Sequence, residues 1–146
     1  MAGRLATAIF VFSLGCSSVD EAGADALWTD IRGADYLSWP RAPGYEQPRD
    51  TVSAHGDTAI VFVNDVVTDA LDGEPRSSWP PGSVIVKDIY EDGDKSLIAA
   101  MRREQDGWFF AEWEPDGEPE YAGFELDVCT DCHSTNNDRV RAFKLP

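Results

Sequence analysis

Cysteine is scarce in this chain, and histidine and methionine are scarcer still. The 146 residues hold three Cys (Cys16, Cys129, Cys132), two His (His55, His133) and two Met (Met1, Met101). So few cysteines exclude a disulfide-stapled scaffold. Basic residues are also outnumbered: 12 Lys and Arg stand against 27 Asp and Glu, a net charge of -15. A surface of that sign repels phosphate backbones and excludes a nucleic-acid partner. It keeps the chain soluble, and it can steer a basic partner protein or a small cation. No apolar run reaches the roughly 20 residues of a membrane-spanning helix. There is no internal repeat and no low-complexity segment.

The N-terminus reads as an export signal. Arg4 precedes an almost unbroken apolar stretch, Leu5 to Leu14, followed by Gly15-Cys16-Ser17-Ser18. A short apolar core ending in small residues is a signal peptide and not a span. Ser13-Leu14-Gly15-Cys16 resembles a lipobox, although Ser13 stands where Leu is usual. Residues 1–15 are therefore expected to be a lipoprotein-type signal peptide, with Cys16 lipidated and residues 16–24 a tether. Ordinary cleavage nearby is the alternative. The expected setting is the periplasm, with membrane contact only through the lipid. Lipidation of Cys16 also accounts for the odd cysteine, leaving Cys129 and Cys132 as a pair.

Residues 25–146 are expected to form one domain. A helical pattern begins at Asp25, with Leu27, Trp28 and Ile31 on one face and Asp25 or Asp30 as cap. A further turn at Asp35–Trp39 ends at Pro40. Residues 40–57, with Pro40, Pro43, Gly44, Pro48 and Gly56, read as a loop. Four β runs follow: Thr58–Asn64, Ser83–Tyr90, Ser96–Arg102 and Trp108–Trp113. Asp65–Leu71 is a short helix or turn. Turn signals at Trp79–Gly82, Glu91–Asp94, Gln105–Gly107 and Pro115–Gly117 separate the runs. The predicted fold is α+β, an antiparallel meander of about 4–5 strands with short helices.

Near the C-terminus stands Cys129-Thr130-Asp131-Cys132-His133. This is C-x-x-C-H, the attachment signature of c-type haem. Two thiols at this spacing reach two vinyl groups on the porphyrin, and the adjacent His supplies an axial nitrogen to iron. Three other uses compete. A zinc site needs about four Cys or His ligands, and only His55 remains besides this cluster, so an additional acidic ligand would be required. A thioredoxin-like redox pair expects a βαβ context. A plain disulfide leaves His133 without a role. Export, the adjacent His and the lack of further cysteines favour one covalent haem c on Cys129, Cys132 and His133. Only residues 134–146 follow the motif, and none is Met. Met101 or His55 could supply a sixth ligand, but nothing in the spacing requires it, so five-coordinate iron open to NO, CO or hydroxylamine is expected. An all-helical bundle with a C-terminal haem motif would need long 3.6-residue periodicity, which is missing here.

Several segments in order carry a family resemblance: His55-Gly56 and the strand ending at Asn64, Trp79 to Asp88, Gly107 to Phe110, Cys129 to His133, and Asp138-Arg139-Val140. Together they resemble the cytochrome P-460 family, which includes the β-rich cytochromes c-prime-beta. The resemblance covers most of the chain from about Tyr36. It implies a curved antiparallel sheet flanked by helices, commonly a homodimer, with a C-terminal haem-binding segment whose distal side faces the sheet. Members that oxidise hydroxylamine carry a lysine cross-linked to the porphyrin, and Lys87 is the candidate. An outward-facing or edge-strand lysine is the alternative reading of Lys87. Those members also use a distal carboxylate to take protons. It is expected just after the haem motif, where Ser134–Asn137 offer none before Asp138. The c-prime-beta branch caps the iron with aromatic side chains, for which Phe62, Trp79, Trp108 and Phe110 are candidates. The expectation is a cytochrome that binds small ligands or passes electrons to a redox partner protein. Oxidation of hydroxylamine or NO through a Lys87-modified haem is the enzymatic alternative.

Overall fold

The computed structural model describes residues 19–51, 55–133 and 137–146. The expected signal peptide, Cys16 and residues 134–136 lie outside the described residues. The architecture is α+β: six antiparallel strands in sequence order, β1 to β6, with a few short helices. The strands are β1 (Arg49–Asp50), β2 (Thr58–Val63), β3 (Val84–Glu91), β4 (Asp94–Arg103), β5 (Trp108–Trp113) and β6 (Pro119–Phe124).

The six strands exceed the expected 4–5, and two of them, β1 and β6, lie outside the four β runs read from the sequence. β1 is two exposed polar residues with no alternation, and it exists through its pairing with β2. β6 begins with a proline and contains Glu120 and Gly123, poor strand formers. It is an edge strand, where a missing amide donor is tolerated. The four central strands fall where the β-branched and aromatic runs predict. The two-residue turn joining β3 to β4 needs left-handed backbone at both positions, and Asp92 (φ 51°) and Gly93 (φ 91°) provide it.

Helix α1 spans Glu21–Gly33, four residues earlier than expected, so the end of the supposed tether is helical. The cap is Asp20, which accepts a hydrogen bond from the Gly23 amide at 2.9 Å, and not Asp25 or Asp30. Ala24, Leu27 and Ile31 recur at helical spacing and are buried against one face of the sheet. That face presents Phe62, Val84, Val86, Ile98, Ala100, Phe109, Ala111, Trp113 and Ala122. It also buries the Asp88 carboxylate, which is satisfied by the Tyr36 hydroxyl (2.9 Å) and Lys95 Nζ (2.5 Å). Tyr36 itself sits in a single 3-10 turn, Tyr36–Ser38, at the expected place before Pro40.

The opposite face is covered only in part. Helix α2 (Asp65–Leu71), Trp79 and the C-terminal residues Val140 and Phe143 pack on Val61, Val63, Ile85, Met101, Trp108 and Phe110. Met101 is core on this face and 7% exposed. The remaining part of the face is where the sequence motif lies.

Candidate functional site

Glu125, in left-handed backbone (φ 45°), turns the chain out of β6. Its amide donates to the Trp108 carbonyl and its carboxylate accepts from the Trp108 amide, both at 2.8 Å. Gly107 permits this approach, because a Cβ there would stand 2.7 Å from Glu125 Oε1. The chain then forms α3 (Asp127–Thr130), with Asp127 favourably placed in its first turn. Helical hydrogen bonds continue past it: the Asp131 amide donates to the Asp127 carbonyl and the His133 amide to the Cys129 carbonyl, each at 2.9 Å. Cys129 and His133 are thus one turn apart on the same side. Cys129 packs on the cluster of Met101, Trp108 and Phe110, while Cys132 is exposed.

The Cys129 thiol is pushed up to about 12, first by burial and then by Glu112 and Cys132. Burial thus disfavours the free thiolate at this position. His133 is held below its ordinary value by burial, against the opposing pull of the Arg139 carbonyl. Its Nδ1 lies 2.7 Å from that carbonyl. A carbonyl oxygen only accepts, so Nδ1 carries the proton and the Nε2 lone pair is left available. This is the arrangement found behind metal-bound histidines.

The sheet register assembles the rest. Lys87 pairs with Val61 and Ala99, and Ala99 pairs with Glu112, which pairs with Tyr121. One row across the face therefore reads Val61, Lys87, Ala99, Glu112, Tyr121, with Lys87 and Glu112 about 10 Å apart across β4. Ala99 between them is small and partly exposed. β3 is an interior strand, so Lys87 guards no sheet edge. It is half-buried and makes no direct ion pair among the described residues. Burial lowers its pKa, with Glu112 opposing. Glu112 is raised to about 7, chiefly by burial and then by Glu120, with Lys87 pulling the other way. His55 Nδ1 sits 3.3 Å from Glu112 Oε1, and burial, then Lys87 and His133, lower its pKa to about 4. At neutral pH the contact joins an uncharged imidazole to a carboxyl near its midpoint.

The four aromatic candidates separate. Phe110 stands edge-on to the His133 ring, centroids 5.5 Å apart. Trp79 and Trp108 are buried in the same cluster as Phe110. Phe62 is on the other face, against Tyr36 at 5.4 Å and beneath Arg41, and does not meet the motif. Strand alternation explains this: Val61 and Val63 point to the motif side and Phe62 between them points away. Met101 is packed as core, and His55 turns to Glu112.

Glu112 is the residue that sequence reasoning misses. It lies on β5, in the same register row as Lys87. An acid between Ala111 and Trp113 in a strand otherwise apolar is the available signal, of the same kind that singles out Lys87.

No family model matches the chain, and no curated protein matches it.

Proposed function

We propose that the chain is an exported mono-haem c-type cytochrome of the P-460 and c-prime-beta type. One haem c would be held through Cys129 and Cys132, with His133 Nε2 as its axial ligand. The observation that carries this is the His133 tautomer, fixed by the Arg139 carbonyl within a C-x-x-C-H turn. The donor set fits the group: two thiols at haem spacing, one half-buried and one exposed, and an imidazole with one committed nitrogen.

Bound there, the haem would supply iron for NO, CO or electrons. The chain's own part is to hold the imidazole, to exclude water with Phe110, Trp79 and Trp108, and to leave the row around Ala99 accessible. Met101 is committed to the core and His55 to Glu112, so neither is poised as a sixth ligand. The test is the ferrous spectrum of protein matured with haem-attachment machinery. High-spin iron that binds CO is expected. A low-spin six-coordinate spectrum indifferent to CO would overturn open coordination.

A second reading, oxidation of hydroxylamine or NO with Lys87 cross-linked to the porphyrin, rests on a specific observation. Lys87 is an interior, half-buried amine with a lowered pKa, and Glu112 on the same face has a pKa of about 7. Burial shifts Lys87 toward its neutral form, the form in which an amine is a nucleophile. A carboxyl near 7 can exchange protons with a substrate at neutral pH. Peptide mapping of the mature protein discriminates. A haem-free peptide containing Lys87, together with no hydroxylamine turnover, would eliminate this reading.

A further inference from the structure

The residues behind His133 are more tightly fixed than packing alone requires. Asp138 (φ 47°) and Arg139 (φ 69°) are consecutive non-glycine residues in left-handed backbone. Such a conformation is strained for a residue with a side chain and persists only when its surroundings over-determine it. Here they do. Asp138 Oδ2 accepts from the Trp79 amide at 2.8 Å and Oδ1 from Trp108 Nε1 at 3.3 Å. Arg103 Nε stands 3.4 Å from the same carboxylate. Arg139 donates to Glu125 Oε2 at 2.5 Å, the same Glu125 that is locked to Trp108. Asn137 ties the other end, donating to the Val140 and Phe143 carbonyls and accepting from the Leu145 amide at 2.7 Å. Among the described residues this turn meets the His133 ring through the Arg139 carbonyl on Nδ1, and just beyond it Arg141 donates to the Cys132 carbonyl at 3.0 Å.

We propose that Asp138 is a positioning residue for the axial histidine: its carboxylate clamps the left-handed turn to Trp79, Trp108 and Arg103, and so holds the Arg139 carbonyl on His133 Nδ1. The clamp sets which nitrogen faces the iron and how basic that nitrogen is. A firm Nδ1–H donation makes Nε2 a stronger donor, which stabilises ferric over ferrous iron. This inference rests on the haem assignment above, and its test separates the two.

The experiment compares wild type with Asp138→Asn, Asp138→Gly and Asp138→Ala in the haem-loaded protein. The readouts are the reduction potential and the iron–histidine stretching frequency by resonance Raman. Glycine adopts the left-handed conformation freely but has no carboxylate, so Asp138→Gly isolates the clamp from backbone strain. Asp138→Gly and Asp138→Ala are expected to move the potential positive and lower the stretching frequency. Asparagine retains one acceptor oxygen and tolerates the conformation, so Asp138→Asn should fall between them and wild type. A second measurement, the His133 nitrogen shifts in folded, haem-free protein, is expected to report an Nδ1–H tautomer in wild type and a mixture in Asp138→Gly. Variants with folded spectra but unchanged potential, stretch and tautomer would overturn the positioning role and leave the haem assignment intact. A wild-type protein that takes up no covalent haem would overturn both.

Discussion

Glu112→Gln should change the pH dependence of stability in a direction fixed by the burial of this carboxyl. The ordinary value of 4.5 is raised to about 7 in the folded chain, with the side chain 15% exposed. A carboxyl whose folded pKa is raised binds more protons folded than unfolded between those two values. Stability is therefore lost as pH rises from about 4.5 to about 7 and is flat above. Each pH step between the two values is worth about 1.4 kcal/mol, so the full penalty is on the order of 3 kcal/mol. Glutamine removes the ionisation while keeping the size. His55 acts oppositely: lowered from 6.5 to about 4, it adds stability as pH rises through that window. The two offset one another in wild type, so the difference between variant and wild type is the informative quantity. Urea unfolding of both proteins at pH 4 to 8 is the assay. Equal stability near pH 4 is expected, with Glu112→Gln becoming more stable by up to about 3 kcal/mol at pH 8. A difference that does not vary with pH would refute the burial of an ionisable Glu112 on this face.

Other perturbations have equally definite outcomes. Leu27→Ala empties a fully buried position under the sheet and should cost about 3 kcal/mol in urea titrations without changing the motif. Tyr36→Phe leaves one oxygen of the buried Asp88 without its 2.9 Å donor and should cost about 1–2 kcal/mol, measured the same way. Gly56→Ala places a methyl 2.7 Å from Ile89 Cγ2 at φ 58°, whereas Gly93→Ala meets nothing at φ 91°. Both should lower the melting temperature, Gly56→Ala by clearly more, and equal losses would contradict the crowding at Gly56.

The reach of the sequence differs from element to element for physical reasons. Thr58–Val63 and Val84–Glu91 declare themselves because β-branched runs bounded by turn residues have few other uses. Arg49–Asp50 cannot, since a two-residue edge strand is created by its partner. Asp20 gives no cap signal because Val19 to Ala24 lacks the apolar spacing that marks the start of a longer helix. At the site, Cys129, Cys132 and His133 stand out in the sequence because C-x-x-C-H is the spacing that covalent haem attachment would require. Lys87 is legible as a charge in an apolar strand. Its relation to Glu112 is not, because it exists only through the register of β3, β4 and β5 around Ala99. Phe62 stands out as an aromatic, but alternation along β2 turns it to the helix-covered face. Asp138 is a residue type that tolerates left-handed backbone, but Arg139 carries no such signal, and what the pair does emerges only from what they touch.

The central claim is that Cys129, Cys132 and His133 hold one covalent haem. Intact-mass analysis of protein co-expressed with haem-maturation machinery tests it most directly. The predicted mass is that of the processed chain plus one haem, falling to the chain alone when Cys129 and Cys132 are both replaced by Ala. A colourless wild-type protein with the mass of the unmodified chain would contradict it.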